Sequence, residues 1–196
     1  MNTKNDPNLV MGDQMEKRNL ALLLIDIQNG WFTESQGLIQ SLSEKKELLS
    51  KVVNEFRVSG HPVIFVCYQK TARNLMPGYK EYEVVDGIGH VESDICVVKT
   101  RMNSFSETDL LDILEKNGCD GVLIVGLSAL HCVISTYFGA FDHYIDPYIL
   151  RGGGMGPNEE SEELLYKVCK TVSFDRVVKH LRGDDHLGSD PINTEM

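Results

Sequence analysis

The sequence predicts one α/β domain in which helices cover both faces of a mostly parallel sheet, a three-layer, Rossmann-like sandwich. Continuous apolar runs recur along the chain, and continuous rather than alternating apolarity is typical of strands that are buried on both faces. Segments with helical spacing separate these runs, as the crossovers between parallel strands require. The 196 residues, of which 42% are hydrophobic, suffice for a single domain with a proper core.

Six short apolar segments are the predicted strands of the sheet. The first is an unbroken run, LALLLI, that ends at Asp26, and the fourth, GVLIV, is a second unbroken run. Pro62 opens the second segment, and Lys99 follows the third. In chain order, the predicted strands are 20–25, 62–66, 95–98, 121–125, 148–150 and 174–178.

Four segments between these strands have the spacing and the end signals of helices. Gly60 ends the first of them, and Ser106 can cap the second, which has Gly118 just past its C-terminal end. The third begins directly after a cysteine, and Asn158 can cap the fourth. The predicted helices are 41–58, 106–117, 133–141 and 159–170.

The remaining segments are predicted from their composition. Residues 1–18 and 181–196 are predicted to be polar arms around a folded domain at 19–180. Residues 70–92 lack periodicity and contain Pro and Gly, which indicates a long functional loop or lid. The glycine-rich run at 152–156 is expected to be a flexible linker rather than a phosphate-binding loop, since its spacing differs from dinucleotide-binding patterns.

Charge and cysteine usage exclude several classes of protein. The net charge of −10 argues against nucleic-acid binding, which needs clustered Lys and Arg. No apolar stretch approaches the roughly 20 residues that span a bilayer, and residues 1–19 contain no apolar signal segment. We therefore expect a cytoplasmic protein with no membrane partner, although an exported protein without a classical signal would look the same. The five cysteines include no CxxC pair, unlike a disulfide framework or a zinc ribbon.

Three reactive side chains follow three different predicted strands. Asp26 ends the first strand, Lys99 ends the third, and Cys132 comes shortly after the fourth. Ligands of parallel α/β sheets bind beyond the carboxyl ends of the strands. We therefore expect these three side chains to meet at one edge of the sheet.

A thiol, a carboxylate and an ammonium can together perform nucleophilic hydrolysis. Cys132 is the candidate nucleophile, since the positive end of a helix dipole favours a thiolate. Asp26 is the candidate base, and Lys99 would keep it ionised. The backbone N–H groups of Ser128 and Cys132 are the candidate oxyanion donors. Taken singly, each of the three side chains also fits a structural role, as a core thiol, a turn aspartate or a solvated lysine.

Other side chains near the strand ends are candidates for a substrate pocket. Trp31, Tyr68 and Tyr137 offer aromatic surface there, and Leu127 lies in the nucleophile turn, although an aromatic at such a place is as well suited to the core. His131 directly precedes the cysteine. Because neighbouring helix residues do not face each other, we expect His131 in packing or in the site wall rather than in a catalytic pair.

Three segments of the chain carry a family likeness. They read LLLIDIQNGWF at 22–32, KTRMNSFSETDL at 99–110 and GLSALHCVISTYFGA at 126–140. In this order, they resemble the opening strand, the lysine segment and the nucleophile turn of the isochorismatase-like cysteine hydrolases. That family includes nicotinamidases and N-carbamoylsarcosine amidohydrolases, and the likeness extends over roughly residues 20–180.

The resemblance implies a fold, a site and a class of substrate. The implied sheet has six strands in the order 3-2-1-4-5-6, and the implied triad is Asp26, Lys99 and Cys132. A cis peptide bond is implied before Ser128. The expected substrate is a small amide or carbamoyl compound, no cofactor is expected, and relatives usually assemble as homodimers or homotetramers.

Several positions depart from the family pattern. Ala129 and Leu130 replace a usual Thr and a usual Asp or Asn, while Gly139 and Gly152 replace acidic residues. We therefore expect fewer polar side chains around the site than is usual in the family. The metal motif of nicotinamidases, D-x-H after the second strand, is replaced by YQKT at 68–71, so that no catalytic metal is expected.

Three functions remain open at this point. The first is an amidohydrolase that works through a thioester on Cys132. The second is a catalytically silent relative that binds a metabolite or a protein partner, which the altered positions favour. The third is a flavodoxin-like nucleotide-binding domain, which the glycine-rich run would suit.

Overall fold

A six-stranded parallel sheet forms the centre of the protein. The computed structural model describes residues 18–33, 35–184 and 187. The strand order is β3-β2-β1-β4-β5-β6, and the strands pair in parallel, which confirms the predicted topology. The strands are β1 (Leu20–Ile25), β2 (Val63–Tyr68), β3 (Ile95–Lys99), β4 (Gly121–Leu127), β5 (Asp146–Met155) and β6 (Thr171–Val172).

Helices cover both faces of this sheet, as the continuous apolar runs predict. One face packs against α1 (Gln36–Val58) and α5 (Phe174–Arg182). The other packs against α2 (Leu110–Lys116), α3 (Ile134–Phe141) and α4 (Glu159–Val168). Strand β1 shows why its run is unbroken: Leu22 and Leu24 face the first layer, whereas Leu23 and Ile25 face the second.

The helix ends agree with the sequence in part. The Asn158 side chain accepts a hydrogen bond from the Ser161 N–H and caps α4, as predicted. Helix α1 begins earlier than predicted, because Ser35 caps it by accepting from the Leu38 N–H at 3.3 Å. Helix α2 begins only at Leu110, so that the predicted cap at Ser106 is wrong.

The predicted sixth strand at 174–178 is wrong, because this segment is the helix α5. The buried residues of α5 are Val177, His180 and Leu181, which recur with helical rather than strand spacing. The edge strand is instead the two-residue β6, which pairs with Ile149 and Leu150. The 174–178 window is too short for its apolar residues to distinguish the two periods.

Residues 152–155 of the glycine-rich run belong to strand β5, so the run is not a flexible linker. The register of β5 against β4 shifts between Ile124 and Gly126, so that β5 continues to Met155. The Tyr166 hydroxyl accepts hydrogen bonds from the backbone N–H of Gly152 and Gly154. An added Cβ at Gly154 would lie 2.6 Å from Leu165, so glycine permits the close approach of α4.

The ends of the domain differ from the predicted boundaries. Helix α5 crosses the predicted boundary at 180, and Leu187, in the predicted polar tail, is buried and accepts a hydrogen bond from the Tyr148 hydroxyl. Of the predicted arm at 1–18, only Arg18 is described, and most of 183–196 also lies outside the described residues. None of the described helices is both long and apolar enough to cross a bilayer.

Candidate active site

Strands β1, β3 and β4 bring Asp26, Lys99 and Cys132 together, as the sequence predicts. Asp26 directly follows β1, Lys99 ends β3, and Cys132 lies in the turn after β4. Because β1 and β4 are neighbours in the sheet, this is the point where the strand order reverses. Asp26 has a left-handed backbone, with φ of 54°, and its N–H donates to Val66 O on β2. Aspartate tolerates this conformation better than most residues.

A buried ion pair forms the floor of the site. The Lys99 Nζ lies 2.9 Å from Asp26 Oδ2, and the two side chains are 0% and 2% exposed. The ammonium also donates to the backbone carbonyls of Arg101 and Met102 and lies 4.7 Å from the centroid of the Tyr68 ring. These partners compensate for the loss of water around the ammonium.

The second carboxylate oxygen of Asp26 is placed to accept a proton. Oδ1 is buried and makes no hydrogen bond of good geometry with any described residue, although the Cys132 thiol is close enough to influence the carboxyl. Burial raises the pKa of Asp26 from 3.8 to about 6, against the opposing effects of Lys99 and of the thiol. At neutral pH this residue is therefore a carboxylate with a lone pair available for a proton.

Cys132 rests as a thiol rather than as the predicted thiolate. It is 9% exposed in the single π-helical turn at Ala129–Val133, before α3. Burial first and the Asp26 charge second raise its pKa from 9.0 to about 12, against the opposing effect of Lys99. The expectation of a thiolate is wrong because desolvation and the Asp26 charge outweigh the effect of the Lys99 ammonium.

The turn between β4 and α3 has the predicted cis peptide bond, between Leu127 and Ser128. The Ser128 carbonyl accepts hydrogen bonds from the N–H groups of His131 and Val133, which close the turn. Ser128 and Cys132 both line the pocket described below. The role of their N–H groups as oxyanion donors stays a prediction.

Gln28 is a positioning residue that the sequence analysis did not predict. Its side chain is fully buried, accepts from the Tyr68 N–H, and donates to the carbonyls of Tyr68 and Tyr82. One amide thus joins the ends of β1 and β2 to the segment at 70–92. The available signal was a polar amide two residues after Asp26, directly beyond a fully apolar strand.

A pair of buried hydroxyl groups supports the lysine side of the site. Ser104 and Thr136 are fully buried, and their hydroxyl oxygens lie 2.8 Å apart. The Ser104 N–H also donates to the Thr136 hydroxyl, and the Thr108 hydroxyl donates to the Ser104 carbonyl. This network attaches the segment after Lys99 to α3, which carries the turn with Cys132.

The site opens into a cavity of about 440 Å³. Trp31, Tyr68 and Leu127 line it, as does His131, whose Nδ1 lies 3.4 Å from the Ser128 hydroxyl. Lining residues that the sequence reasoning did not assign are Ser35, Leu38, Lys70, Arg73, Met102 and Pro157. Most of these lie on loops, where periodicity carries no signal.

Tyr137 lies outside this lining, contrary to the expectation. Its ring is 3% exposed on the inner side of α3 and makes edge contacts with Phe138 and Phe141. Its hydroxyl accepts a hydrogen bond from the Lys170 N–H. The helical turn after Cys132 thus directs Tyr137 towards α4 and β6, away from the pocket.

A larger cleft, of about 690 Å³, lies between α1 and α4. One of its carboxylates, that of Glu162, is already held by the Ser41 hydroxyl, by Lys45 and by the Gly156 N–H. None of the three reactive residues lines this cleft, so the smaller cavity is the candidate active site. Among the residues that the structure describes, no cluster of three or more His, Cys, Asp and Glu could hold a metal ion.

The fold and this placement define a doubly wound α/β protein whose ligand pocket, with a buried cysteine, lies at the switch point of the sheet. The profile of the isochorismatase domain matches residues 20–176. The chain belongs to the isochorismatase family and has the fold of that family's hydrolases.

Individual relatives agree with this assignment. An uncharacterized isochorismatase family protein of Bacillus subtilis is 28% identical over 126 residues, which cover 63% of this chain and 70% of that protein. The "Probable inactive nicotinamidase" of Arabidopsis thaliana is 29% identical over 143 residues, with coverages of 63% and 73%. The structure of N-carbamoylsarcosine amidase from Thermoplasma acidophilum superposes with a TM-score of 0.67 at 24% identity and covers 79% of this chain and 95% of that one. This likeness concerns the fold.

Proposed function

We propose that the protein hydrolyses a C–N bond of a small amide or carbamoyl compound through a thioester on Cys132. The observation that carries this proposal is the buried Asp26 carboxyl, which pairs with the Lys99 ammonium and lies close to the Cys132 thiol. Its Oδ1 has no hydrogen-bond partner among the described residues, and both Asp26 and Cys132 line the pocket. A base, a nucleophile and a fixed positive charge are the groups that acyl transfer requires.

The first half-reaction begins with attack on the substrate carbonyl. The Cys132 sulfur forms a bond to the carbonyl carbon while its proton passes to Asp26 Oδ1. The two events are concerted, because the pKa of the thiol lies far above that of the carboxyl and a free thiolate would be costly. The N–H groups of Ser128 and Cys132 stabilise the negative charge that develops on the carbonyl oxygen.

The tetrahedral intermediate then breaks at the C–N bond. Asp26 returns the proton to the leaving nitrogen, and an amine or ammonia departs from a thioester. In the second half-reaction, a water molecule gives a proton to Asp26 and attacks the thioester carbon. The C–S bond breaks, the sulfur regains the proton, and the released acid completes a hydrolysis in which Lys99 stays charged throughout.

The size of the cavity and one structural relative support the substrate class. A volume of about 440 Å³ lies at the small end of ligand pockets, roughly 300–1,000 Å³. The neighbour from Thermoplasma acidophilum is an N-carbamoylsarcosine amidase, an enzyme of amide hydrolysis. The expectation of an assembly of two or four copies remains a proposal.

The alternative is a catalytically silent protein that binds a metabolite or a protein partner. Two observations favour it: the relative in Arabidopsis thaliana bears the word "inactive" in its name, and apolar Ala129 and Leu130 form part of the nucleophile turn. The pocket would then hold its ligand without forming a bond to Cys132.

Trapping of the acyl-enzyme distinguishes the two functions. The protein is incubated with a panel of small amides, ureas and carbamates, quenched in acid and measured by intact mass spectrometry. We expect at least one compound to add the mass of its acyl group to Cys132, located by peptide mapping, with release of its amine. Binding of a panel member without adduct and without amine release would favour the silent protein, and modification only at exposed Cys96 would contradict the proposal.

Hydrolysis is expected to decline as the pH falls through about 6. Burial raises the pKa of Asp26 from 3.8 to about 6, so the base is protonated below that value. With a substrate that does not titrate, kcat/KM should drop about tenfold between pH 7 and pH 5, which corresponds to one proton. Circular dichroism at each pH controls for unfolding. A profile that stays flat to pH 4 would exclude Asp26 as the base.

A further inference from the structure

An apolar stripe runs along α3 and the turns at its two ends. Its members recur every three or four positions, which is the spacing of one helix face, and none of them is charged. Ile134 is half-buried, and the other four are exposed to solvent in the described part of the chain. We call this set the α3 stripe: Leu130, Ile134, Phe138, Phe141 and Tyr144.

The exposed area of the stripe is large for a surface that contacts only water. Its three aromatic residues together expose roughly 400 Å², since a whole aromatic side chain offers about 150–250 Å². Helix α4 contacts the turn at 129–133 and adds the exposed side chains of Leu164 and Val168 to the same side of the protein. With its polar rim, this face is of the size that stable interfaces use, about 800 Å² per partner.

Tyr144 has the features of an interface residue rather than of an ordinary surface residue. Its backbone is left-handed, with φ of 59°, which is an unfavourable conformation for a bulky aromatic residue. Its side chain is 96% exposed, so packing within the described chain does not compensate for this cost. Tyrosine is also enriched at protein interfaces, where the ring packs and the hydroxyl stays hydrated.

We propose that a second copy of the chain covers the α3 stripe, with the two α3 helices antiparallel about a two-fold axis at the level of residues 137–138. In this orientation, the stripe is complementary to itself. Phe138 lies beside the axis, and Ile134 faces the partner's Phe141. One turn further along, Leu130 faces the partner's Tyr144. The same patch thus serves both copies, as a two-fold contact requires, which is the reason for a second copy rather than a different protein.

Charges of both signs surround the stripe, so that two copies can associate although each carries a net charge of −10. The Lys170 ammonium lies 5.6 Å from the centroid of the Phe141 ring and pairs with Asp146. Asp142 and Lys167 lie at the C-terminal ends of α3 and α4. Salt screens the repulsion between the two copies as a whole, whereas it does not weaken apolar burial. Dimerisation should therefore not weaken as salt is added.

The partner's Tyr144 then completes the mouth of the candidate active site. Leu130, which this tyrosine faces, directly precedes His131. His131 and Met102 line the pocket and are both exposed in the single copy. A ring placed over this part of the wall narrows the access to Cys132. The inference does not depend on the proposed function, because it concerns the interface and the access to the thiol.

Sedimentation equilibrium of the full chain tests the interface. We expect a dimer with a Kd below about 10 µM. Phe138→Glu places a carboxylate beside its own copy at the axis and should weaken dimerisation about 100-fold or more, with unchanged circular dichroism. Val58→Glu adds the same charge at an exposed apolar residue of α1 and should leave the Kd unchanged. A single-chain mass up to about 100 µM, or an unchanged Kd in Phe138→Glu, would overturn the inference.

Tyr144→Gly separates loss of the interface from loss of the fold. Glycine adopts a positive φ without a steric cost, so the variant should unfold at the same temperature as its parent or higher when both carry Phe138→Glu and are monomeric. In the otherwise unmodified chain, Tyr144→Gly should nevertheless weaken dimerisation about tenfold or more, since it removes a large interface ring. Unchanged dimerisation in this variant would contradict the role given to Tyr144.

Alkylation by iodoacetamide measures whether the partner narrows the pocket. The rates at Cys132 and at exposed Cys96 are followed by peptide mass spectrometry in the unmodified protein and in Phe138→Glu. Because cysteine reactivity depends on access, Cys132 should react about fivefold or more faster in the monomeric variant, while Cys96 reacts alike in both. Equal rates at Cys132 would overturn the placement of the partner's Tyr144. The measurement needs no substrate, so its outcome is independent of whether the protein is a hydrolase.

Discussion

Replacement of Cys132 by alanine is expected to abolish hydrolysis while leaving the fold intact. The substitution removes the sulfur that forms the thioester, and the remaining Asp26 cannot by itself form a covalent intermediate. Loss of a nucleophile costs at least about 10³-fold in kcat. Removal of one buried sulfur atom should cost only about 1–2 kcal/mol of unfolding free energy. Steady-state assays and thermal unfolding measure the two effects.

Two further variants sharpen this prediction. Cys119→Ala removes an equally buried thiol far from the pocket, and activity should stay within about twofold of the unmodified protein. Cys132→Ser keeps the shape of the side chain but should be as inactive as the alanine variant, because Asp26 is too weak a base for a hydroxyl. Substantial turnover by the alanine variant would exclude the thioester pathway.

Replacement of Lys99 by methionine should cause the largest loss of stability among the changes considered. The substitution leaves the Asp26 carboxylate 2% exposed without its counterion. Removal of one partner from a buried ion pair typically costs about 3–5 kcal/mol. For a chain of this size, this corresponds to a decrease in Tm of about 10 °C. Thermal or urea unfolding at pH 8 measures the loss.

An exposed ion pair gives the matched control. Lys51 contacts Glu47 at 2.7 Å on α1, where both side chains are exposed. Lys51→Met should therefore leave Tm almost unchanged, since surface pairs contribute little. Equal losses in Lys51→Met and Lys99→Met would indicate that the methionine itself, rather than the buried charge, is responsible.

The pH dependence of the Lys99→Met variant identifies the cause. Lys99 lowers the pKa of Asp26, so its removal should raise that pKa above about 6. A raised carboxyl pKa costs stability as the pH rises, because the unfolded chain releases the proton near pH 3.8 and the folded chain holds it. The deficit of the variant should therefore be smaller at pH 5 than at pH 8. A deficit independent of pH would contradict the assignment of the cost to Asp26.

Much of the sheet could be predicted from the sequence because the buried strands are apolar on both sides. The runs at β1 and β4 could not be amphipathic helices, and Asp26 and Lys99 mark the points where burial ends. Short segments carried less information. The window at 174–178 fits both periods, and only its packing against the α1 side of the sheet makes it a helix.

The glycine-rich run shows a different limit. From composition, it reads as a linker, because glycine is common in flexible chain. In the structure, Gly153 and Gly154 are strand residues. Glycine is required there because an added Cβ would lie under 3 Å from Val125 or Leu165. A glycine that close packing requires cannot be distinguished, in a single sequence, from a glycine in a flexible segment.

By itself, the sequence determined the α/β class, the order of the elements as far as α4 and the three strand ends that carry Asp26, Lys99 and Cys132. These features depend on local periodicity and on a general rule for parallel sheets, both of which can be read along the chain. The protonation of the thiol, the role of Gln28 and the exclusion of Tyr137 from the pocket were decided only by the tertiary structure. They depend on burial and on distances between residues remote in sequence, and the free energy of a charge or a hydrogen bond is set by its surroundings rather than by its position in the chain.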